Sequence, residues 1–545
     1  MKPRHSHRAL LVLLLLAACG GGGGGGDGGS SGGGADPLPD LPARRVSAAT
    51  PVAAGCTGGS STGTLYANAE VEPFVAAHAN DGNHLVAAWQ QDRWSDGGSR
   101  ALVSAVSLDG GATWQRTLHA MSRCGGAAAG AAGDFERVSD PWVDVGADGT
   151  AHLLGLAING ASLQPGSASA LLASRSTDGG AHWSAPQVLA ADGATFFNDK
   201  NAITADPTDA RFVYAVWDRL DSAGRGPTQL ARSSDGGASW EPVRSIYTPA
   251  SSGISQTLGN RIVVILAGPE RGTLVNVFTQ IDTVNNVSAS RIGLVRSADH
   301  GATWSAPIFA ADLRAVGARN PEGGQAIRDG AGLPTVAAAP DGSLWLAWQD
   351  ARFSAGQRDA IAASRSTDGG RTWSAPAAIN RIPGAAAFTP TLHVRADGLV
   401  GVMHYDLRSN TTDGSTLLAD AWLLTSRDGI AWAETHVHGP FDMAAAPDAR
   451  GLFLGDYQGL VSAGTSFLPV LAMSRSDTAN RTDIFAPRLD GISAERESPA
   501  ATHFARTEVP IADAARMRAL RSQSIAATME RRVPGWRERV QGPER

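Results

Sequence analysis

The octet Ser176-Thr-Asp-Gly-Gly-Ala-His-Trp183 returns along the chain with small changes. Its copies stand at Ser107–Trp114, Ser176–Trp183, Ser233–Trp240, Ser297–Trp304 and Ser366–Trp373, with a copy shorter by one residue at Ser426–Trp432. Six copies of one pattern indicate a repeat architecture, in which each unit buries its apolar face against its neighbours.

Each octet predicts a tight hairpin. The aspartate can accept hydrogen bonds from the backbone of its own turn, the glycine allows positive φ, and the tryptophan packs over the loop. We therefore assign a structural role to the six box aspartates, which are Asp109, Asp178, Asp235, Asp299, Asp368 and Asp428.

Short alternating apolar runs such as His84–Gln90 and Ala101–Ser107 surround the boxes, with Gly, Asp or Pro between them. Units of roughly 60 residues with four such runs predict propeller blades. The pattern Ser-x-Asp-x-Gly-x-x-Trp resembles the Asp box of sialidase-like (BNR/Asp-box repeat) β-propellers and covers most of residues 70–490. The expected fold is all-β, with four-stranded antiparallel blades.

Inner strands are expected to begin near Glu72, Asp140, Asp199, Arg261, Pro334, Pro390 and Asp456. Seven blades are therefore favoured, although the resemblance to sialidases keeps six open. The last unit lacks a box and a fourth strand. An N-terminal strand between Val46 and Ala54 is expected to complete it and close the ring.

The N-terminus predicts an exported lipoprotein. Basic residues in Met1–Arg8 precede the apolar run Ala9–Leu16, which is too short to span a bilayer. Leu16-Ala-Ala-Cys19 resembles a lipobox, so residues 1–18 are expected to be a signal peptide and Cys19 the lipidated residue. The Gly-rich segment 19–45 is expected to tether the protein to a membrane, with Gly20 favouring the outer membrane.

Residues 46–490 form the predicted propeller, and residues 491–545 form a charged tail with a helix near 510–532, to which we assign no function. Apart from Cys19, the chain contains only Cys56 and Cys124. In an oxidising compartment two remaining cysteines are expected to form a disulfide.

Composition narrows the choice of partners. The net charge of −6 is spread over interspersed acids and bases, which argues against nucleic acid. No zinc-binding spacing or phosphate loop is present, so no metal or cofactor is expected, with calcium on clustered carboxylates left open. A glycan or glycoconjugate and the anchoring membrane are the expected partners, and the oligomeric state stays open.

The connections between second and third strands place Asp and Arg at similar positions in several units. The arginines are Arg93, Arg219, Arg352 and Arg408. Such pairs can simply stabilise their loops. Alternatively, the planar guanidinium groups can bind the carboxylate of an acidic sugar.

The predicted inner-strand starts carry polar residues that differ between units, as expected for a binding pocket at the axial mouth. The resemblance to sialidases implies a tyrosine nucleophile polarised by a glutamate, an aspartate acid/base and arginines that hold the substrate carboxylate. Tyr457 is the candidate nucleophile, with Tyr405 as the other well-placed tyrosine, and Glu72 and Asp140 are the candidate carboxylates. The candidate substrate-binding residues are Arg261, Arg93, Arg219, Arg352, Arg408 and Asp456.

One departure from sialidases weighs against turnover. Sialidases resemble one another in an Arg-Ile-Pro motif that opens the first blade, and none stands near Glu72. Arg381-Ile-Pro383 lies between the predicted fifth and sixth blades, where we interpret it as coincidence. The sequence thus supports an exo-α-sialidase-like glycoside hydrolase acting on terminal acidic sugars. A non-catalytic glycan- or protein-binding propeller, or a bare envelope scaffold, stays as an alternative.

Overall fold

The computed structural model describes residues 44–59, 62–250, 253–381, 384–490, 502–509 and 514–537. The predicted signal peptide, Cys19 and the tether up to residue 43 lie outside these ranges. Within them, no helix combines the length and the apolar composition needed to cross a membrane.

The first four units are four-stranded antiparallel sheets, each formed by strands that follow one another along the chain. Their strands are β1 (Leu65–His78), β2 (Asp81–Trp94), β3 (Ser99–Ser107), β4 (Gln115–Leu118), β5 (Arg137–Val145), β6 (Ala151–Asn159), β7 (Ala168–Ser176), β8 (Gln187–Asp192), β9 (Phe196–Ala205), β10 (Val213–Asp221), β11 (Thr228–Ser233), β12 (Arg244–Tyr247), β13 (Ile254–Val264), β14 (Leu274–Val284), β15 (Val287–Ser297) and β16 (Ile308–Leu313).

The second part of the chain adds a four-stranded unit, a unit whose four strands are extended at the outer edge by a fifth strand from the tail, and a three-stranded unit. Its elements are β17 (Ile327–Arg328), β18 (Thr335–Ala338), β19 (Leu344–Asp350), β20 (Ala360–Ser366), β21 (Ala377–Ala378), β22 (Ala387–Val394), β23 (Val400–Asp406), β24 (Leu418–Ser426), β25 (Ala431–Asp442), β26 (Leu452–Phe453), β27 (Gly459–Ala463), β28 (Ser466–Asp477), β29 (Asn480–Phe485), β30 (Thr502–Phe504) and the helix α1 (Ala514–Arg532). Short 3-10 helices follow β19 (Ala351–Ser354) and β25 (Met443–Ala445).

The units are arranged around an axis. Their first strands contact one another in the order β1, β5, β9, β13, β18, β22 and β27, and β27 contacts β1. Residues 44–47 extend the outer edge of the last unit, where Val46 N–H donates to the carbonyl of Ile484 at 2.7 Å and Ala486 N–H to that of Arg44 at 2.8 Å. The all-β propeller and its C-terminal helix are confirmed, and this pairing favours seven blades.

The core forms between neighbouring sheets, because the second strands are buried on both faces, whereas a fourth strand such as β4 is largely exposed. The second strands carry fully buried tryptophans, Trp89 in β2, Trp217 in β10 and Trp348 in β19. Both faces of these strands contact another unit, which explains why their sequences read as nearly continuous apolar runs.

All six boxes lie in the turns between third and fourth strands. In the box of Asp299, the carboxylate accepts from Thr303 N–H at 2.9 Å and from the Ser297 hydroxyl at 2.7 Å. The indole of Trp304 donates to the carbonyl of Gly301 at 3.0 Å. The hydrogen bonds that Asp299 accepts from Thr303 and Ser297 lower its pKa to about 2. The carboxylate therefore stays ionised and stabilises its own turn.

Five inner strands share a β-bulge, in which two residues face one residue of the second strand. The first bulge residue has positive φ at Glu72 (56°), Asp140 (49°), Lys200 (49°), Gly259 (67°) and Thr389 (49°). Left-handed backbone is strained for every residue except glycine, and such strain is common at functional sites. The strands β1, β5 and β9 begin several residues before their bulges. Glu72, Asp140 and Lys200 therefore lie within strands and not at the strand starts.

Cys56 and Cys124 form a disulfide that spans 68 positions of the chain. It packs against Val52 and Ala101 in a small core of its own. The disulfide thus connects the segment before β1 to the connection after β4.

Replacing both cysteines by alanine should lower the free energy of unfolding by about 2–4 kcal/mol, because a long loop is no longer closed in the unfolded chain. Urea denaturation of both proteins measures the difference. A reducing agent should destabilise the wild type and leave the double variant unchanged. Equal unfolding free energies would contradict this role.

Candidate functional site

The bulges bring three charged side chains of different units together at the axis. The ammonium of Lys200 lies 3.4 Å from a Glu72 oxygen and 3.5 Å from an Asp140 oxygen. All three side chains are at least nine-tenths buried. The bulges thus turn the first residue of three inner strands toward one point, which regular strand alternation would not do.

Asp456 completes this cluster. Its carboxylate lies 2.6 Å from Lys200 Nζ and forms a two-point pair with Arg328 at 3.0 and 2.6 Å. Two glycines allow the close packing: a Cβ at Gly330 would lie 2.1 Å from the Asp456 carbonyl oxygen, and one at Gly455 would lie 2.7 Å from Glu72 Cα. The backbone of this region therefore requires glycine at both positions.

The cluster separates the protonation states of its carboxyl groups. Burial raises the pKa of Glu72 to about 8 against the opposing effect of Lys200. Burial would also raise the pKa of Asp140, but Lys200 and a hydrogen bond from Glu72 lower it overall. At neutral pH, Glu72 is thus mainly the protonated partner and Asp140 the ionised one. Such a divided pair can hold or release one proton.

Arg93 and Arg328 both lie against one aromatic ring, that of Phe453. Their guanidinium carbons lie 4.8 and 4.4 Å from the centre of the buried Phe453 ring. Arg93 donates to the side chain of Gln90 at 2.6 Å, and Gln90 in turn donates to Glu72. Burial lowers the pKa of Arg93 to about 10, and its Nε atom has no hydrogen-bond partner.

A cavity of about 400 Å³ opens over this cluster. Seven Lys and Arg residues but four Asp residues line it: Arg93, Arg137, Lys200, Arg328, Arg450, Arg531 and Arg532, against Asp96, Asp140, Asp199 and Asp456. Among the described residues, no carboxylate lies within ion-pair distance of Arg93, Arg450 or Arg531. We call this space the mouth cavity, and its charge favours an anion.

A smaller cavity of about 50 Å³ lies beside it and shares Lys200 and Asp456 with it. Tyr457 lines this smaller cavity, and its hydroxyl donates to the carbonyl of Pro141 at 2.8 Å. Burial and the nearby Glu72 raise the pKa of Tyr457 well above its usual value. The phenol is therefore held protonated, as a hydrogen-bond donor to the backbone.

Arg261 also lines the smaller cavity. Its guanidinium carbon lies 5.5 Å from the centre of the Phe74 ring and 5.2 Å from that of Trp142. Arg261 donates to the Thr335 hydroxyl at 3.2 Å, and burial lowers its pKa to about 10. The structure thus places Tyr457 and Arg261 together in the axial channel, apart from the mouth cavity.

The other predicted arginines lie in loop ion pairs and line none of the cavities found among the described residues. Arg219 pairs with Asp192 at 2.6 Å, Arg352 with Asp350 at 2.8 Å, and Arg408 with Glu434 at 2.8 Å. The same holds for the box aspartates, which support their own turns. Tyr405 is fully buried, and its hydroxyl donates to the Ala472 carbonyl.

Sequence reasoning missed five arginines of the mouth cavity, Arg137 of β5 and four others. Arg328 lies in the connection between the fourth and fifth units, and Arg450 in the one between the sixth and seventh. Arg531 and Arg532 belong to α1, where Arg532 pairs with Asp199 and Asp218, both at 2.8 Å. The surplus of arginines in the tail was a usable signal, but the sequence did not show where the helix would pack.

The three carboxylates of the cluster contact a side-chain cation. The ammonium of Lys200 occupies the space between Glu72, Asp140 and Asp456, where the sequence left calcium open. Within the described ranges, no group of three or more His, Cys, Asp or Glu side chains is arranged to hold a metal ion.

No family model matches the chain. A sialidase from Micromonospora viridifaciens is 26% identical to it over 322 residues, which is 54% of this chain and 45% of that sialidase. The chain thus matches less than half the length of this relative. Strand order and repeated boxes, together with this similarity, define a sialidase-like β-propeller.

Solved structures align with the chain at low TM-scores. A protein of unknown function from Dyadobacter fermentans gives a TM-score of 0.43 at 17% identity, covering 78% of this chain and 96% of its own. A Hadza microbial sialidase gives 0.42 at 17% identity, covering 74% and 77%. An α-L-arabinanase of Penicillium chrysogenum, solved with arabinobiose, gives 0.41 at 13% identity, covering 63% and 94%.

Replacing Glu72 by glutamine should flatten the dependence of stability on pH. A carboxyl group whose pKa rises from 4.5 in the unfolded chain to about 8 in the folded protein stabilises the fold below pH 4.5. That contribution is lost as the pH rises through 8. Unfolding free energies measured between pH 5 and 8 should therefore fall more steeply for the wild type than for Glu72→Gln.

The exposed Glu322 offers a matched control, because Glu322→Gln makes the same chemical change at a side chain that lines none of the three cavities. Its pH profile should follow that of the wild type. If Glu72→Gln also follows the wild type, Glu72 does not bind a proton on folding.

Proposed function

We propose that the protein binds the anionic terminal sugar of a glycan in the mouth cavity and hydrolyses its glycosidic bond. The observation that carries this proposal is the excess of cationic over acidic side chains around one cavity with a buried carboxyl pair at its base. The similarity to the Micromonospora sialidase supports the same class of substrate. The cavity volume of about 400 Å³ lies in the range usual for small-ligand sites.

Arg93, Arg328 and Arg450 are the groups proposed to hold the carboxylate of the sugar. Arg93 is buried and leaves guanidinium nitrogens without a carboxylate partner, and Arg450 is exposed at the cavity rim. Guanidinium groups match carboxylates in geometry and stay charged under all relevant conditions. Binding an anion here would compensate Arg93 and Arg450, which have no carboxylate partner among the described residues, while Arg328 keeps its ion pair with Asp456.

Asp140 is proposed to act as the acid. It lines the mouth cavity, whereas Glu72 behind it is fully buried and mainly protonated at neutral pH. A proton passed from Glu72 to Asp140 could reach the leaving-group oxygen as the glycosidic bond breaks, while water adds to the anomeric carbon. The carboxyl pair would recover its proton from that water.

The alternative is a propeller that binds such a glycan without turnover. It is favoured by the Tyr457 hydroxyl, which donates to the Pro141 carbonyl within the smaller cavity rather than facing the mouth cavity. A tyrosine nucleophile of the sialidase kind would need to be released from this contact. The absence of an Arg-Ile-Pro motif near Glu72 points the same way.

The full chain should release fluorophore from an aryl sialoside, and Asp140→Asn should reduce turnover by about a hundredfold or more, because the proton donor is lost. Calorimetric binding of free sialic acid should be retained by Asp140→Asn and lost in Arg93→Gln. Asp235→Asn, in a box, is the matched control and should behave as the wild type.

Turnover that survives Asp140→Asn would refute the role of Asp140. If no aryl glycoside of a broad panel is cleaved but sialic acid binds in an Arg93-dependent manner, the protein is the non-catalytic binder. A wild type that neither cleaves nor binds acidic sugars would refute the proposal as a whole.

We also propose that the protein is exported and held on a membrane through a lipid on Cys19. The disulfide between Cys56 and Cys124 supports an oxidising compartment. The Gly-rich segment that follows Cys19 has the composition of a flexible tether.

Cys19→Ser should move the protein from the membrane fraction of the producing bacterium to the soluble fraction, because the acceptor of the lipid is removed. Fractionation followed by immunoblotting, with radiolabelled palmitate as a second readout, measures this. An unlabelled wild type, or a variant that stays on the membrane, would argue against the anchor.

A further inference from the structure

A further cavity, distinct from the smaller cavity lined by Tyr457, adjoins the mouth cavity beneath the C-terminal helix, and we call it the second cavity. Its volume is about 320 Å³, and it lies between α1 and the segment around residues 316–331. The two cavities share four lining residues, Ala331, Arg450, Thr528 and Arg531. Each cavity has the size of a small-ligand site, so together they offer room for more than one sugar.

The helix that roofs these cavities is firmly attached to the propeller. Met529, Val533 and Trp536 pack in a buried apolar cluster with residues of the third and fourth units. At the end of α1, Arg532 pairs with two buried carboxylates, Asp199 and Asp218, at 2.8 Å each. The side chains of its last turns are therefore held in fixed positions over the loops.

Arg531 lies at the junction of the two cavities. The only hydrogen bond that its side chain donates within the described residues runs to the Thr528 hydroxyl at 3.1 Å. Burial lowers the pKa of Arg531 to about 10, and Arg328 adds to the effect. A half-buried cation beside other cations costs free energy unless an anion compensates it.

The walls of the second cavity combine apolar, hydroxyl-bearing and charged side chains. Ser524 and Thr528 offer hydroxyl groups from α1. Glu530 is engaged by the backbone N–H groups of Gly535 and Arg537, at 2.8 and 2.9 Å. Four arginines, Arg319, Arg450, Arg531 and Arg537, also line this cavity, against the two acidic residues Asp329 and Glu530. Its hydroxyl groups suit those of a second sugar, and its excess of cations suits an anionic group on that sugar.

We propose that the ligand is an acidic oligosaccharide that occupies both cavities, and that Arg531 of α1 binds an anionic group of its second sugar. The inference rests on the proposed function, because it assumes that the terminal acidic sugar occupies the mouth cavity. It assigns the tail helix to the binding site and makes Arg531 a specificity-determining residue. Recognition then depends on chain length as well as on the terminal sugar.

The test compares binding of free sialic acid with binding of its α2,8-linked dimer, by titration calorimetry on the full chain. Wild type should bind the dimer more tightly than the monomer. Arg531→Gln should weaken dimer binding by about tenfold or more, the effect expected for one charge-assisted hydrogen bond, and should weaken monomer binding by a smaller factor, because Arg531 also lines the mouth cavity. Arg531→Lys should restore part of the dimer affinity, because it keeps the charge.

Arg518→Gln is the matched control, since Arg518 is exposed on the same helix and lines none of the three cavities. It should bind both sugars as the wild type does. Equal loss of monomer and dimer binding in Arg531→Gln, or no loss of either, would overturn the role of Arg531. A wild type that binds neither sugar refutes the proposed function itself, which is a distinct outcome.

Discussion

The ion cluster around Lys200 holds the axis of this propeller together. One ammonium group contacts carboxylates from the first, the second and the last unit, while itself belonging to the third. In a buried setting, removing one of the charged partners, Lys200, Asp140 or Asp456, leaves a charge that the others cannot compensate. The geometry of the mouth cavity depends on this cluster, because Arg93 reaches it through Gln90, and Arg328 through Asp456.

Much of the fold could be read from the sequence, because the boxes are local. Within a box such as Ser297–Trp304, the hydrogen bonds between the box residues join positions at most four apart. The β-bulges could not be read in this way. A bulge is a property of the register between two strands. Proline follows Glu72, Asp140 and Thr389, and asparagine follows Lys200 and Gly259, but such pairs do not by themselves fix the register of a strand.

The candidate site was partly predictable, because some of its residues depart from the repeat of the units. Non-repeating polar residues on inner strands marked Glu72, Asp140 and Asp456, which the structure brings into one cluster. Repeated Asp and Arg positions gave a mixed signal, since Arg352 and Arg408 pair locally whereas Asp218 pairs with Arg532 of the tail, 314 positions away. Contacts of that range leave no periodic trace in one sequence.

The position of Arg532 has a consequence for how the molecule comes into being. Asp199 and Asp218 are synthesised with the third unit. The cation that neutralises them, Arg532 of α1, follows 333 and 314 positions later, respectively. Until then the third unit carries two carboxylates that favour water over a buried environment. The growing chain can therefore build its blades in order, yet the site is complete only once α1 has been synthesised and has packed on the third unit.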